Sequence, residues 1–278
     1  MNFRIMATAA ASAAMLILAA CNSSNTSENT TGADTAQAAG APAAPISITP
    51  VTGSPEFPDA ELDIKDVKAE PQGPDSVKIT INYTVKNYEL KSQTSDAGTK
   101  NCNNSKDGQH IHFILDNQPY VALYEPTRTF TVPVKSEHYL MSFLSRSYHE
   151  SLKTPKAGIL YRFSVDEKGK LTKLEIPKTP MIFYSRPKGD YVGADTRNLL
   201  LDFYVYNTTL EAGGNKVKVD VNGTSFDIDK WQPYFIQNAP MGEVTVKVQL
   251  VDKEGKNIEG INTSVTRKVN LAEQEPMK

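Results

Sequence analysis

From Ile46 onward, apolar and polar residues alternate with a period of two. Val77-Lys-Ile79-Thr-Ile81-Asn-Tyr83-Thr-Val85, Val217-Lys-Val219-Asp-Val221 and Val244-Thr-Val246-Lys-Val248-Gln-Leu250 all follow it. Successive side chains of a strand point to opposite faces, so this alternation predicts half-buried β-strands. No window after the N-terminal stretch carries the 3.6-residue period of an amphipathic helix. Turn residues interrupt the runs roughly every 8–12 residues, the spacing of antiparallel sandwiches.

The strand pattern occurs twice. Ile81-Asn-Tyr-Thr-Val-Lys-Asn87-Tyr-Glu-Leu90 parallels Leu201-Asp-Phe-Tyr-Val-Tyr-Asn207-Thr-Thr-Leu210, and His110-Ile-His-Phe-Ile-Leu-Asp116-Asn117 parallels Lys216-Val-Lys-Val-Asp-Val-Asn222-Gly223. The prediction is an all-β chain with two tandem antiparallel sandwich domains, residues 46–175 and 176–278. The boundary falls in the stretch broken by Pro177 and Pro180, because Pro cannot donate to a strand ladder. Both units resemble immunoglobulin-like (Ig-like) domains. The antibody pattern of Cys, Trp and Cys is absent.

The first 21 residues are of a different kind. Arg4 is their only charge, and an apolar, small-residue run follows from Ile5 to Ala20. It is too short for a ~20-residue bilayer span and has the form of a secretory signal peptide, residues 1–20. Leu18-Ala19-Ala20-Cys21 resembles the bacterial lipobox. The resemblance implies cleavage before Cys21 and acylation of that residue, including a palmitate-type N-acyl chain, and two or more chains anchor a protein stably. Asn22 follows, not the Asp that resembles an inner-membrane retention signal, which implies the outer membrane, periplasm-facing. Residues 21–45 are rich in Asn, Ser, Thr, Ala and Pro. They hold too few large apolar residues to offset chain entropy, so a disordered tether is expected.

Charge and motifs narrow the function classes. Among 278 residues, Lys plus Arg is 30 and Asp plus Glu is 32, for a net charge of −2. That balance argues against a nucleic-acid partner, which calls for a basic excess. The chain has no Gly-x-Ser-x-Gly elbow, no His-Glu-x-x-His, no phosphate-cradling Gly loop and no dinucleotide fingerprint. A non-enzymatic binding or scaffold protein is therefore expected, with an envelope protein or phosphopeptide as candidate ligand and no cofactor.

Metal binding is the alternative. All four His (110, 112, 138 and 149) lie in the first repeat. His110 and His112 are two apart on a predicted strand and share a face. Their counterparts in the second repeat are Lys216 and Lys218, and Lys is almost never fully buried, so the pair is expected to face solvent. Two imidazoles on one face can begin a Cu or Zn site. His138 is the first choice for a third ligand, with His149 and Cys102 as the others. Cys102 sits in a polar loop expected to be exposed. Tyr120, Tyr124, Tyr184, Tyr191, Trp231 and Tyr234 fall near predicted turns, as interface anchors or core plugs.

Asn87-Tyr-Glu-Leu90, Gly108-Gln-His-Ile-His112, Phe143-Leu-Ser-Arg-Ser-Tyr-His-Glu150, Phe183-Tyr-Ser-Arg-Pro-Lys-Gly189 and Trp231-Gln-Pro-Tyr-Phe-Ile236 resemble a family of secreted Gram-negative lipoproteins. That family is often labelled "phosphopeptide-binding protein". The resemblance implies a binding role for Arg146 and His149, through a likeness to the Ser-Arg-x-His signature of FHA domains. Here one more residue separates Arg from His. On a strand it puts His149 on the opposite face.

Overall fold

The computed structural model describes residues 44–274. The expected signal peptide 1–20, Cys21 and all but the last two residues of the expected tether 21–45 lie outside the described residues. The first half contains β1 (Ser47–Pro50), β2 (Glu61–Pro71), β3 (Ser76–Lys86), β4 (His110–Leu115), β5 (Val121–Leu123), β6 (Thr127–Pro133), β7 (Ser136–Ser145), β8 (Gly158–Val165) and β9 (Leu171–Leu174). The second contains β10 (Met181–Arg186), β11 (Asp190–Val192), β12 (Asn198–Tyr206), β13 (Lys216–Val221), β14 (Thr224–Ile228), β15 (Tyr234–Gln237), β16 (Gly242–Val251) and β17 (Ser264–Ala272). Two short 3-10 turns complete the regular structure of the described residues.

The fold is all-β, with two tandem sandwiches of paired sheets. In the first, the sheet β2-β3-β6 faces the sheet β5-β4-β7-β8-β9. In the second, β1-β15-β12-β10 faces β11-β17-β16-β13-β14. All pairings are antiparallel except β11 with β17. The repeat is real at the strand level. β3 and β12 are inner strands of corresponding sheets, and each is followed by an Asn, 87 or 207, at φ 53. Alternation fills the two inner cores: Val77, Ile79, Ile81 and Tyr83 point into the first, and Val217, Val219 and Val221 into the second.

Two features depart from a pair of independent modules. First, β1 does not join the first sandwich, where the 46–175 boundary placed it. Ser47 to Pro50 pair with Gln237 to Tyr234 of β15, and Ile46 and Ile48 pack on the second core. An exposed edge strand offers unpaired N–H and C=O groups, and β15 takes β1 as its neighbour. Second, a third core joins the sandwiches. Ile114, Tyr120, Met141, Phe143 and Leu160 of the first pack against Met181, Phe183 and Tyr204 of the second. β10 is buried along its whole length, as are seven of the nine residues of β12. The Phe143 and Tyr204 rings stack at 5.1 Å. Gly158 lets them meet, since a Cβ there would stand 2.7 Å from the Tyr204 hydroxyl. Asn117 seals one end by donating to the Ile182 carbonyl at 2.8 Å and accepting from the Tyr184 N–H at 3.0 Å.

Candidate metal centre

β4 presents His110 and His112 on the same face, as their spacing requires. That face is not free. It is the face covered by β10, and both His have 0 % exposure. The likeness to Lys216 and Lys218 fails because the second sandwich covers β4, whereas those Lys remain half-buried on β13. The expectation that the pair faces solvent is thereby corrected.

His149 arrives from β7. That strand ends at Ser145, and the next five residues form a turn, not a continuing strand. The Arg146 N–H donates to the Glu150 carbonyl at 2.9 Å and the His149 N–H to the Arg146 carbonyl at 2.9 Å, with His149 at φ 70. The turn absorbs the extra residue of Ser145-Arg-Ser-Tyr-His149 and swings the imidazole over His110. One ring nitrogen from each of His110, His112 and His149 lies within 4.8 Å of the others. His110 Nε2 is 2.9 Å from His112 Nε2 and 3.2 Å from His149 Nδ1.

The outer nitrogens of His110 and His112 are held. His110 Nδ1 donates to the Gly108 carbonyl at 2.8 Å, which leaves its Nε2 as a lone pair. His112 Nδ1 lies 2.9 Å from the Ser185 hydroxyl, which can donate or accept. Gly108 sets this orientation: it sits at φ 82, and a Cβ there would be 2.2 Å from the Lys91 carbonyl oxygen. A carbonyl or hydroxyl on the far ring nitrogen is the usual partner that fixes the tautomer and orientation of a metal-bound His. Tetrahedral ligands ~2.0–2.1 Å from an ion stand about 3.3 Å apart, close to the two spacings from His110, while His112 and His149 lie within 4.8 Å of each other. The donor set fits Zn or Cu, and no ligating carboxylate is needed.

The imidazoles are neutral. Burial pushes His110 down to about 4, with Arg186 and Lys188 adding to the effect and the Gly108 hydrogen bond opposing it. His112 and His149 are held well below the usual value, chiefly by burial. The Tyr120 ring stacks on His112 at 3.7 Å, and its hydroxyl lies 3.2 Å from His149 Nδ1. Arg186 and Lys188 Nζ sit over Tyr120, at 5.4 and 4.2 Å from the ring centre. Ser185, Arg186 and Lys188 come from the second sandwich. Strand spacing does not single them out. The one signal is an Arg directly after the buried run Met181-Ile-Phe-Tyr-Ser185.

The other sequence candidates lie apart. His138 is 2.6 Å from Asp116 Oδ2 and 2.7 Å from the Ser136 hydroxyl, and it is not brought to the cluster. Its strand leaves the turn after Pro133 at the far end of β7, opposite β8 instead of β4's His pair. Cys102 is buried, not exposed, and its thiol is pushed up to about 12 by burial. The Arg146 guanidinium is committed to Glu150 at 2.7 Å and to the Pro55 carbonyl. It lines a separate cleft with Phe57, Lys153 and Trp231.

No family model and no curated protein matches the chain. Among solved structures, the chain resembles the fibronectin(III)-like modules of Clostridium thermocellum CbhA at 13 % identity and a TM-score of 0.27, over 75 % of this chain and 95 % of that one. It also resembles the two tandem V-type regions of VCBP3, a v-region-containing chitin binding protein, at 8 % identity and a TM-score of 0.21, over 77 % and 99 %. Likenesses this distant say nothing about activity.

Proposed function

We propose that the chain is a non-enzymatic, lipid-anchored envelope protein that binds one Zn(II) or Cu(II) ion between its two sandwiches, at His110, His112 and His149. The convergence of three neutral ring nitrogens within 4.8 Å carries this reading. The resemblance to secreted lipoproteins and the Leu18–Cys21 run support the anchor. A phosphopeptide role for Arg146 has less support, because its guanidinium is already spent on Glu150 and Pro55.

Titration of the purified protein with Zn(II) or Cu(II) should saturate at one ion per chain. His110→Ala with His112→Ala abolishes the binding and His149→Ala weakens it, whereas His138→Ala leaves it unchanged. A titration without saturation at micromolar ion, or one indifferent to the double substitution, overturns the reading. The anchor has its own test: Cys21→Ala should shift the protein from the detergent phase to the aqueous phase, with the mass of the acyl groups lost.

A further inference from the structure

The hydrogen bonds of the cluster fix where its hydrogens sit. The Gly108 carbonyl can only accept, so His110 Nδ1 carries a hydrogen and, the ring being neutral, its Nε2 is a lone pair. His112 Nε2 stands 2.9 Å from that lone pair. Two lone pairs at this distance repel, so in the metal-free chain His112 Nε2 carries the hydrogen and donates it to His110. His112 is neutral too, which leaves its Nδ1 a lone pair, and the Ser185 hydroxyl at 2.9 Å must donate to it. One directed series results, from Ser185 through His112 and His110 to the Gly108 carbonyl. His149 Nδ1, 3.2 Å from His110 Nε2, has the Tyr120 hydroxyl as a donor of its own at 3.2 Å. The direction of the series matters to an ion. His110 presents a lone pair at all times, whereas His112 presents an N–H where a ligand is needed.

We propose that Ser185 is a positioning residue that lets His112 turn from hydrogen-bond donor into metal ligand when an ion enters. This rests on the metal reading above and says how that site is regulated. Nε2 gives its hydrogen to water shed by the entering ion, and the same water returns one to Nδ1, so the ring stays neutral and the net proton count is unchanged. The Ser185 hydroxyl then rotates and accepts from Nδ1–H. A hydroxyl serves both states because it donates and accepts, whereas a carbonyl, as at Gly108, serves only one. The second hydrogen bond is the stronger, since a bound ion polarises the ring and makes its outer N–H a better donor. Ser185 lies on β10 and is 2 % exposed, so the second sandwich supplies the group on which a ligand of the first depends. Without an ion, the Nε2–H of His112 closes the cluster on itself, and the ion must displace that internal hydrogen bond.

Nitrogen NMR of the imidazole rings in the full chain reads the tautomers directly. Without metal, His112 should carry its hydrogen on Nε2 and His110 on Nδ1. After saturation with Zn(II), both should carry it on Nδ1. Ser185→Ala should weaken Zn(II) binding by about 10–100-fold, the usual cost of losing such a partner, and should leave the His110 tautomer as it is. Ser185→Thr keeps the hydroxyl and should restore most of the affinity. A hydrogen on Nδ1 of His112 in the metal-free chain overturns the proposal, as does Ser185→Ala binding Zn(II) as tightly as the wild type. Equal loss in Ser185→Thr, which would trace to packing and not to the hydroxyl, overturns it too. All three leave the metal site standing. No ion bound by the wild type removes the metal site and the exchange with it.

Discussion

His110 shows what burial does to a single residue. Its folded-state value is pushed from 6.5 to about 4, and the values of His112 and His149 are also depressed. The unfolded chain therefore binds protons at a pH where the folded one does not. The stability these groups contribute is complete above the unfolded value near 6.5 and is lost as pH falls through the folded values. From about pH 7 to about pH 5, His110 alone should cost about 2 kcal/mol, with His112 and His149 adding in the same direction. Urea unfolding of the metal-free protein at the two pH values measures this, and His110→Gln with His112→Gln should flatten the dependence. An unchanged midpoint would show that the imidazoles are not buried. At this scale the sequence holds half of the site. A spacing of two puts His110 and His112 on one face whatever the fold. Their burial depends on β10, over 70 residues away, and no local pattern reports it. His149 was the harder residue, because a left-handed φ at a non-Gly position leaves no compositional mark.

At the level of elements, the alternating strands were legible and the doubly buried ones carried a readable exception. β3 and β13 follow period two because one face meets a core and the other stays partly open. β10 and the Leu199–Val205 part of β12 are nearly continuous apolar runs, the mark of strands buried on both faces. That mark points to a third layer of packing, and the third core is where it leads. The repeat also reads correctly through its turns, since Asn87 and Asn207 occupy the same left-handed position at the ends of corresponding strands. β1 could not be read in this way. Four residues, Ser-Ile-Thr-Pro, make a weak strand signal, and their partner β15 lies some 190 positions on. Only the open edge of the second sandwich decides where they pair.

Among the described residues, the third core ties the two sandwiches together. Chain order crosses between the sandwiches twice, because β1 belongs to the second, β2 to β9 build the first, and β10 returns to the second. Polar links cross the same junction: Lys153 donates to fully buried Asp202 at 2.7 Å, and Ser151 to the same oxygen at 2.9 Å. The site is therefore a property of the assembled pair, with His110, His112 and His149 from one sandwich and Ser185, Arg186 and Lys188 from the other. Separation of the sandwiches would expose Met141 and Phe143 on one side and Met181, Phe183 and Tyr204 on the other, each worth roughly 1.5–3 kcal/mol when buried. Neither module can lose its partner without that cost, so the two should unfold together. The single Trp, Trp231, is a natural reporter: its Nε1–H donates to the Phe203 carbonyl at 3.0 Å and its ring meets Tyr204 edge-on at 4.6 Å. Its fluorescence reports the second sandwich at the junction, while far-UV circular dichroism averages over both. The two signals should trace one coincident urea transition. Phe183→Ala removes a fully buried ring from the shared core and should lower stability by about 3–5 kcal/mol. It should also shift both signals together in a folded variant. A Trp transition that precedes the dichroism change in the wild type would mean two independent domains, and the site would then not be a shared one.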